Sequence, residues 1–518
     1  MSDNSNEDAK RAFQTALELQ QSGRLAEAER AWEALRAQFP DHGGINVNLA
    51  SVLWRQGRLD AAAEVAERAV VANPDMAEAH TILGAAAEAQ GRTVEAMKAL
   101  KRAVELKPEI VTAWVGLALL CTGAGEFAEA LEACACAEAL EPGRVDVGNA
   151  RAELYLAQGD LDAALKGFDR VLAQLPSTEE AHNGRGNVLC GLGRGAEARA
   201  AYDAAIAINP EFPDPYFNRG LLALCEGRWS EGWPDYERRW QTRQMGPFQR
   251  GFAQQQWDGA DRPDQTLLLH AEQCMGDTMQ FIRYAPLAAE RVGRVVLECQ
   301  APVMALLTGT AGIDEFVEQG ADLPAFDVHL PLLSLPGVFG TEPDTVPADI
   351  PYITAPSDRP ALPDGAGFKV GLAWAGSPAN PSDLRRSMDL DVLRPLLDVS
   401  RCTFYSLQHG PAGDQIDAAG LSGKLHDLRP VMSDFVAMAG LIGQLDLVIS
   451  ICTSVAHLSG AMGAETWVML SADADWRWLK DRNDTPWYPT MRLFRQDTLG
   501  DWPNMVVDVI SALVRRAA

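Results

Sequence analysis

The sequence predicts two fold classes in one chain: an all-α superhelix of repeats, followed by two α/β domains with parallel sheets. Across the first half, prolines and glycines each recur with a step of 34 residues. In the second half, apolar segments of strand length alternate with helical segments, which is typical of parallel sheets with crossover helices. A chain of 518 residues is long enough to hold both parts.

Three residue classes share the repeat register. The prolines are Pro40, Pro74, Pro108, Pro142, Pro176 and Pro210. The glycines are Gly23, Gly57, Gly91, Gly125, Gly159, Gly193 and Gly227. The alanines, five positions after the glycines, are Ala28, Ala62, Ala96, Ala130, Ala164 and Ala198. Each class has a physical role: glycine ends a first helix in a left-handed turn, alanine allows close helix packing, and proline stops the second helix.

This pattern resembles the tetratricopeptide repeat, in which each unit is a pair of antiparallel helices. We therefore predict an array over residues 1–245, with about six full repeats and a modified seventh. Stacked repeats form a concave groove. We expect Asn149, Asn183 and Asn187 to face this groove and to bind a protein partner through its peptide backbone. A solvated, inert face is the alternative.

The seventh repeat departs from the pattern, because Gly232 takes the alanine position. Its second helix is rich in aromatic residues, namely Trp229, Trp233, Tyr236 and Trp240. Large aromatic side chains bury much area. The segment is therefore predicted to pack on the domain that follows, with a ligand-stacking platform as the alternative.

The second half is predicted to contain a linker at 246–264, a first α/β domain at 265–362 and a second at 363–518. Its most informative stretch is 445–463, LDLVISICTSVAHLSGAMG. An apolar strand there leads through small polar residues into a helix. The first helical turn offers free N–H groups beside Thr453, Ser454 and His457, which suits a phosphate. An ordinary strand-to-helix turn is the alternative.

The region from about Trp257 to the end resembles glycosyltransferases of the GT-B fold, which have two Rossmann-like domains, and more narrowly the heptosyltransferase-like and O-GlcNAc-transferase-like proteins with repeats. The motifs that carry this resemblance are EQCMGDTMQFIRYAPL, VGLAWAGSPANPSDLRRS, SLQHGP, LDLVISICTSVAHLSGAMG and DWRWLKDRNDTPWYPTMRLFRQ. The resemblance implies an acceptor-side first domain and a nucleotide-sugar-binding second domain. It also implies that the repeats recruit a protein acceptor, such as flagellin or another bacterial protein.

The same resemblance implies site residues. Asp277 is the expected general base, which takes the proton of the acceptor hydroxyl; a helix-capping role is the alternative. Arg385 and Arg386 follow a strand and are expected to hold the donor phosphates, because guanidinium groups match phosphate geometry. Gln408 is expected to contact the nucleotide. No metal and no cofactor are expected, since no carboxylate cluster has metal-ligand spacing.

Two positions depart from the pattern of related sequences. Cys274 stands where they carry glycine, and Cys452 where they carry aspartate. The sequence therefore leaves two hypotheses: a metal-independent glycosyltransferase that acts on a protein acceptor, or a non-catalytic interaction scaffold with a degenerate transferase domain.

The composition limits other functions. The net charge of −26 argues against nucleic acid and anionic lipid as partners. The acidic start has no apolar segment typical of a secretory signal, and no apolar run approaches the roughly 20 residues that span a bilayer. The nine cysteines are scattered and odd in number. We read them as reduced thiols, which predicts a cytoplasmic protein without membrane insertion.

Overall fold

The fold is given by a computed structural model, which describes the backbone of residues 2–356, 359–377 and 383–518. The chain separates into two compact units. The first comprises Met1–Asn218 and Arg238–Pro247, and the second comprises Arg219–Glu237 and Phe248–Ala518. Residues 378–382, part of the loop predicted to lead to the paired arginines, lie outside the described residues.

Paired helices build the repeats. They are α1 (Ser2–Gln21), α2 (Leu25–Gln38), α3 (Gly43–Arg55), α4 (Leu59–Ala72), α5 (Ala77–Ala89), α6 (Thr93–Leu106), α7 (Val111–Ala124), α8 (Phe127–Leu140), α9 (Val145–Gln158), α10 (Leu161–Gln174), α11 (Glu179–Gly191), α12 (Gly195–Ile208), α13 (Pro213–Cys225) and α14 (Trp229–Tyr236). The odd-numbered helices are the first helices of the repeats. Each from α3 to α9 also contacts the first helix of the following repeat, so these helices line one continuous face.

The periodic residues have the predicted roles. The seven glycines have φ between 73° and 80°, a left-handed conformation that a side chain disfavours. The six alanines have no exposed surface. At Gly232 of the seventh repeat, a Cβ would lie 2.7 Å from Cγ of Leu224. Glycine therefore replaces alanine because α13 and α14 approach even more closely.

The second unit contains two parallel sheets. The first sheet has β1 (Gln255–Gln256), β2 (Arg262–His270), β3 (Val292–Cys299), β4 (Glu315–Glu318) and β5 (Val328–Pro331), in the order β1-β5-β2-β3-β4. The predicted linker at 246–264 is thus partly strand. The polar residues Gln255 and Gln256 are exposed in an edge strand, so they have no apolar alternation by which the sequence could mark a strand.

The second sheet contains the strand predicted within residues 445–463. It has β6 (Phe368–Ala373), β7 (Cys402–Ser406), β8 (Leu425–Asp427), β9 (Leu447–Ile451), β10 (Thr466–Leu470) and β11 (Met491–Arg495), in the order β11-β10-β9-β6-β7-β8. Counted within the sheet, this is the 3-2-1-4-5-6 order of a doubly wound fold, which reverses direction between β6 and β9. In such folds, ligands bind beyond the carboxyl ends of the strands at this reversal point.

Helices connect and cover the strands. They are α15 (Met275–Phe281), α16 (Ala285–Ala289), α17 (Ala301–Leu307), α18 (Leu335–Val338), α19 (Asp383–Arg386), α20 (Gln415–Ala418), α21 (Phe435–Ile442), α22 (Ser454–Ala461) and α23 (Trp502–Arg516). Among the described residues, none of the helices has the length and hydropathy needed to cross a bilayer.

Helix α14 belongs to the second unit, although it is the last helix of the repeats. Trp229 stacks on Trp487 with 5.1 Å between ring centroids. The indole of Trp233 lies edge-on to Trp476 at 5.5 Å and donates to the carbonyl of Thr341 at 2.8 Å. The aromatic segment therefore packs on the α/β fold as predicted.

Trp240 is different, because it lies in the first unit, beneath the guanidinium of Arg239 at 4.6 Å. The boundary between the compact units thus falls within α13, between Asn218 and Arg219, and residues Arg238–Pro247 belong to the first unit again, whereas the sequence places the end of the array at residue 245.

Candidate functional site

The predicted phosphate corner lies where β9 passes into α22, beside the reversal point of the second sheet. Thr453 is the N-cap of α22, and no hydrogen bond joins its side chain to the helical N–H groups. Its hydroxyl lies 3.2 Å from the Ser450 hydroxyl instead. Within the described part of the chain, no side chain forms a hydrogen bond with the hydroxyl of Ser454. The predicted strand, loop and helix are confirmed. The backbone N–H groups in the first turn of α22 remain able to donate hydrogen bonds to an anion.

The two predicted arginines have different surroundings. Nη1 of Arg386 donates to the carbonyl of Cys452 at 3.1 Å, which places Arg386 at the corner. Its Nε also contacts Asp383 at 3.2 Å. Arg385 instead forms an exposed ion pair with Asp473 at 3.3 Å. Of the pair, the structure brings only Arg386 to the loop that precedes α22.

His457 lies in the second turn of α22 with 5% of its surface exposed. Its Nδ1 shares a hydrogen bond with the hydroxyl of Tyr488 at 3.0 Å, and its ring stacks on Trp478 at 5.5 Å. Burial lowers the pKa of His457 to about 4. The imidazole is therefore neutral at pH 7 and brings no positive charge to a phosphate.

Asp277 lies in α15, which packs directly against α22. Its Oδ1 accepts from Nη2 of Arg477 at 2.6 Å. Its Oδ2 accepts from the backbone N–H of Cys274 at 3.0 Å and from the thiol at 2.9 Å. Burial pushes the pKa of Asp277 upward, but the Arg477 charge and the bonds from Cys274 outweigh this effect and hold the pKa below its usual value. Asp277 thus takes part in capping as the third residue of α15, in a capping box whose N-cap is Cys274, and is not the N-cap residue considered as the alternative. The carboxylate is a weak base in this arrangement.

The predicted base and the predicted corner are neighbours. A Cβ on Gly276 would lie 2.9 Å from Cδ2 of His457 and 3.6 Å from Cα of Ser454. Glycine therefore allows α15 and the start of α22 to touch. Asp277 and His457 also interact electrostatically.

Gln408 is engaged by the main chain. Its Oε1 accepts from the N–H groups of Trp374 and Ala375, each at 2.9 Å. Its Nε2 donates to the carbonyls of Ala375 and His409, also at 2.9 Å. The carboxamide therefore fixes the loops after β6 and β7, and a nucleotide contact would have to displace one of these bonds.

Sequence reasoning missed two buried arginines. Arg477 bridges Asp277 and Asp475, with 2.8 Å to Asp475. Arg283 donates to the carbonyl of Trp487 at 2.5 Å and to the hydroxyl of Tyr352 at 2.7 Å. The one available signal was the charge of Arg477 inside the aromatic run DWRW.

The residues that depart from the family pattern are both free cysteines. Sγ of Cys452 accepts from the indole of Trp478 at 3.1 Å. The thiol of Cys274 donates to Asp277, as described above. Both thiols thus form hydrogen bonds to other side chains of the second unit.

The predicted groove residues lie on the first helices of the fifth and sixth repeats. Oδ1 of Asn183 accepts from Asn218 at 3.0 Å, and Oδ1 of Asn187 accepts from the hydroxyl of Tyr202 at 2.8 Å. Within the described residues, neither Nδ2 group donates to a protein acceptor. Oδ1 of Asn149 is buried and has no partner among the described residues. This face therefore keeps two donors and one acceptor for a ligand.

Comparison with known protein families gives one match, described as "Tetratricopeptide repeat", at residues 13–77, 47–109, 95–144 and 149–213. Tetratricopeptide repeats thus occupy the N-terminal part of the chain and form a protein-interaction scaffold. The second unit is an α/β fold with parallel sheets.

A curated relative, Protein FlbA of Caulobacter vibrioides, is 24% identical in an alignment of 325 residues. The match covers 56% of this chain and 53% of the relative. The chain thus spans about half the length of that relative.

Two solved structures are among those similar to this chain. A tetratricopeptide repeat protein from Parabacteroides merdae is 17% identical, with a TM-score of 0.38, and the match covers 45% of this chain and 91% of that one. A thermophilic TPR protein of Thermus thermophilus is 25% identical, with a TM-score of 0.33, and the match covers 35% of this chain and 100% of that one.

Proposed function

We propose that the chain is a partner-binding protein whose fifth and sixth repeats hold an extended segment of another protein. The observation that carries this proposal is the set of Asn149, Asn183 and Asn187 on successive first helices. The Nδ2 groups of Asn183 and Asn187 donate to no described residue, and Oδ1 of Asn149 has no partner among the described residues. A peptide backbone offers both N–H and C=O groups at regular spacing. Asparagines fixed by internal bonds can pair with such a backbone at a small entropic cost.

We expect a variant with Asn149→Ala, Asn183→Ala and Asn187→Ala to lose about tenfold or more in affinity for peptides. Each lost hydrogen bond is worth about 0.5–1.5 kcal/mol, and 1.4 kcal/mol corresponds to tenfold. The measurement is fluorescence anisotropy of labelled 12-residue peptides, selected on the full chain from a random library.

Gln174→Ala is the matched control, because it removes an exposed carboxamide at the end of α10. Its affinity should equal that of the unmodified chain. Equal binding by the triple variant and the control would place the binding surface elsewhere and refute the proposal.

A second candidate function is sugar transfer from a nucleotide-sugar donor to the bound protein. It is favoured by the proximity of Arg386, the first turn of α22 and Asp277 at the reversal point of the second sheet. In this function, Arg386 and the N–H groups of α22 would hold the departing phosphates, while Asp277 would accept the proton from the acceptor hydroxyl. Asp277 would first have to break its ion pair with Arg477 before its carboxylate could contact the acceptor hydroxyl.

The neighbouring arginines provide a matched test of this candidate. In calorimetry against a panel of nucleotide sugars, we expect Arg386→Ala to weaken donor binding by about tenfold or more, because charged hydrogen bonds contribute about 1.5–3 kcal/mol. Arg385→Ala should change the affinity by less than about threefold, as for an exposed ion pair. In a transfer assay, Asp277→Asn should abolish turnover and retain donor binding.

The two functions can be separated. If no nucleotide sugar binds the full chain, the transfer function is wrong and the partner-binding function still stands. If Arg385→Ala and Arg386→Ala weaken binding equally, the phosphates do not lie at the corner that precedes α22.

A further inference from the structure

One glutamate of the repeats is partly buried without a cationic partner among the described residues. Glu153 lies on α9, one turn after Asn149, and is half-buried. No described residue forms a hydrogen bond or an ion pair with it. Burial alone raises the pKa of Glu153 to about 7. A carboxylate kept in this environment without a cation is costly for the fold, which points to a use outside the fold.

The 34-residue register explains why the site is open. Asn218 of the seventh repeat donates to Asn183 of the sixth repeat. One repeat earlier, the equivalent positions are Gly184 of the sixth repeat and Asn149 of the fifth, and Gly184 has no side chain to donate to Asn149. A Cβ on Gly184 would lie 2.3 Å from the Phe168 ring and 2.9 Å from Oε1 of Glu153. Gly184 therefore creates the space for the Glu153 carboxylate and removes the donor that would satisfy Asn149.

Two arginines and a histidine of α9 and α11 have partners other than Glu153. Arg151 of α9 pairs with Glu138 at 3.5 Å, and Arg185 of α11 pairs with Asp169 of α10 at 2.7 Å. The ring of His182, also on α11, bonds to a main-chain carbonyl at 3.0 Å. Glu153 thus keeps a partly exposed carboxylate one helical turn from Oδ1 of Asn149, a buried acceptor that also has no partner among the described residues.

We infer that this surface binds a protein segment carrying an arginine, whose guanidinium pairs with Glu153 and donates to Asn149. The inference rests on the proposed partner-binding function and specifies the chemistry of the partner. Arginine fits better than lysine because its planar group presents several donors in a fixed fork, which can reach two acceptors at once. The net charge of −26 attracts a basic segment over longer distances.

The test compares synthetic 12-residue peptides that differ only at one central position, which is arginine, lysine or glutamine. On the full chain, we expect the arginine peptide to bind at least about tenfold more tightly than the glutamine peptide, with lysine between them. Glu153→Gln should remove this preference. The control Glu132→Gln removes an exposed carboxylate of α8, and this variant should keep the preference for the arginine peptide.

The pH dependence gives a second readout that a structural role would not produce. Because the pKa of Glu153 in the folded protein without peptide is about 7, the ionised fraction of its carboxyl group grows roughly tenfold from pH 6 to pH 8. Affinity for the arginine peptide should rise by about the same factor, and Glu153→Gln should flatten this dependence.

The stability of the variant serves as a check on folding. A carboxyl whose pKa is raised by folding destabilises the fold increasingly as pH rises from its unfolded value to the folded one. Glu153→Gln should therefore unfold at a higher midpoint than the unmodified chain at pH 8, and at nearly the same midpoint at pH 5.

Each outcome decides the inference. If Glu153→Gln binds the arginine peptide as the unmodified chain does, the inference is wrong, and the asparagine variants still test partner binding independently. If peptides bind without preference for arginine, only the inference fails. If no peptide binds at all, the inference and the proposed function are both wrong.

Discussion

Arg477→Met is expected to lower the free energy of unfolding of the second unit by about 3–5 kcal/mol, the usual cost of leaving one member of a buried ion pair alone. Arg477 is 6% exposed, and its two ion-pair distances are 2.6 Å to Asp277 and 2.8 Å to Asp475. Methionine keeps most of the side-chain volume, so the loss reports mainly the charge that remains on Asp277. The measurement is urea unfolding, together with hydrogen exchange in α15 and α22.

Arg482→Met is the control, because Arg482 pairs with Asp484 at 2.6 Å on the surface. Its loss should stay below about 1 kcal/mol. The double change of Arg477→Met with Asp277→Asn should cost less than Arg477→Met alone, since no buried charge is left unpaired. If Arg477→Met lowers the free energy of unfolding no more than the control does, the stability of the second unit does not depend on this ion pair.

Trp229→Ala is expected to cost about 3–5 kcal/mol, as for other large side chains removed from a core. Trp229 is fully buried, stacks on Trp487 and donates its indole N–H to the carbonyl of Leu224 at 2.9 Å. Alanine would leave a cavity between α14 and the α/β fold, and the carbonyl of Leu224 would keep only the hydrogen bond from the N–H of Gly227. Urea unfolding followed by tryptophan fluorescence measures the loss.

Trp54→Ala is the matched control, because Trp54 lies on α3 with 41% of its surface exposed. Its effect should stay within about 1 kcal/mol. If Trp229→Ala is no more destabilising than this control, α14 does not form part of the core of the second unit.

The candidate transferase site illustrates why a motif does not by itself define chemistry. The sequence motifs correctly place Asp277, Arg386 and His457 near one another. The packing then determines the state of each group: Asp277 is held in an ion pair, and His457 is buried and neutral. A transfer reaction would need a rearrangement of these bonds, whereas the groove residues are available to a ligand as they stand.

The sequence by itself determined the repeats and the alternation of strands and helices in the α/β part, but not every strand, because the exposed β1 has no apolar alternation. The glycine, alanine and proline marks act within a few residues, and apolar segments report burial directly, so neither depends on the rest of the chain. The tertiary structure alone decided that Arg386 reaches the corner, that Arg477 pairs with Asp277 from 200 residues away, and that Gly184 makes space for the Glu153 carboxylate. These outcomes depend on which side chains meet across the folded chain, and spacing along a sequence carries no information about such distant contacts.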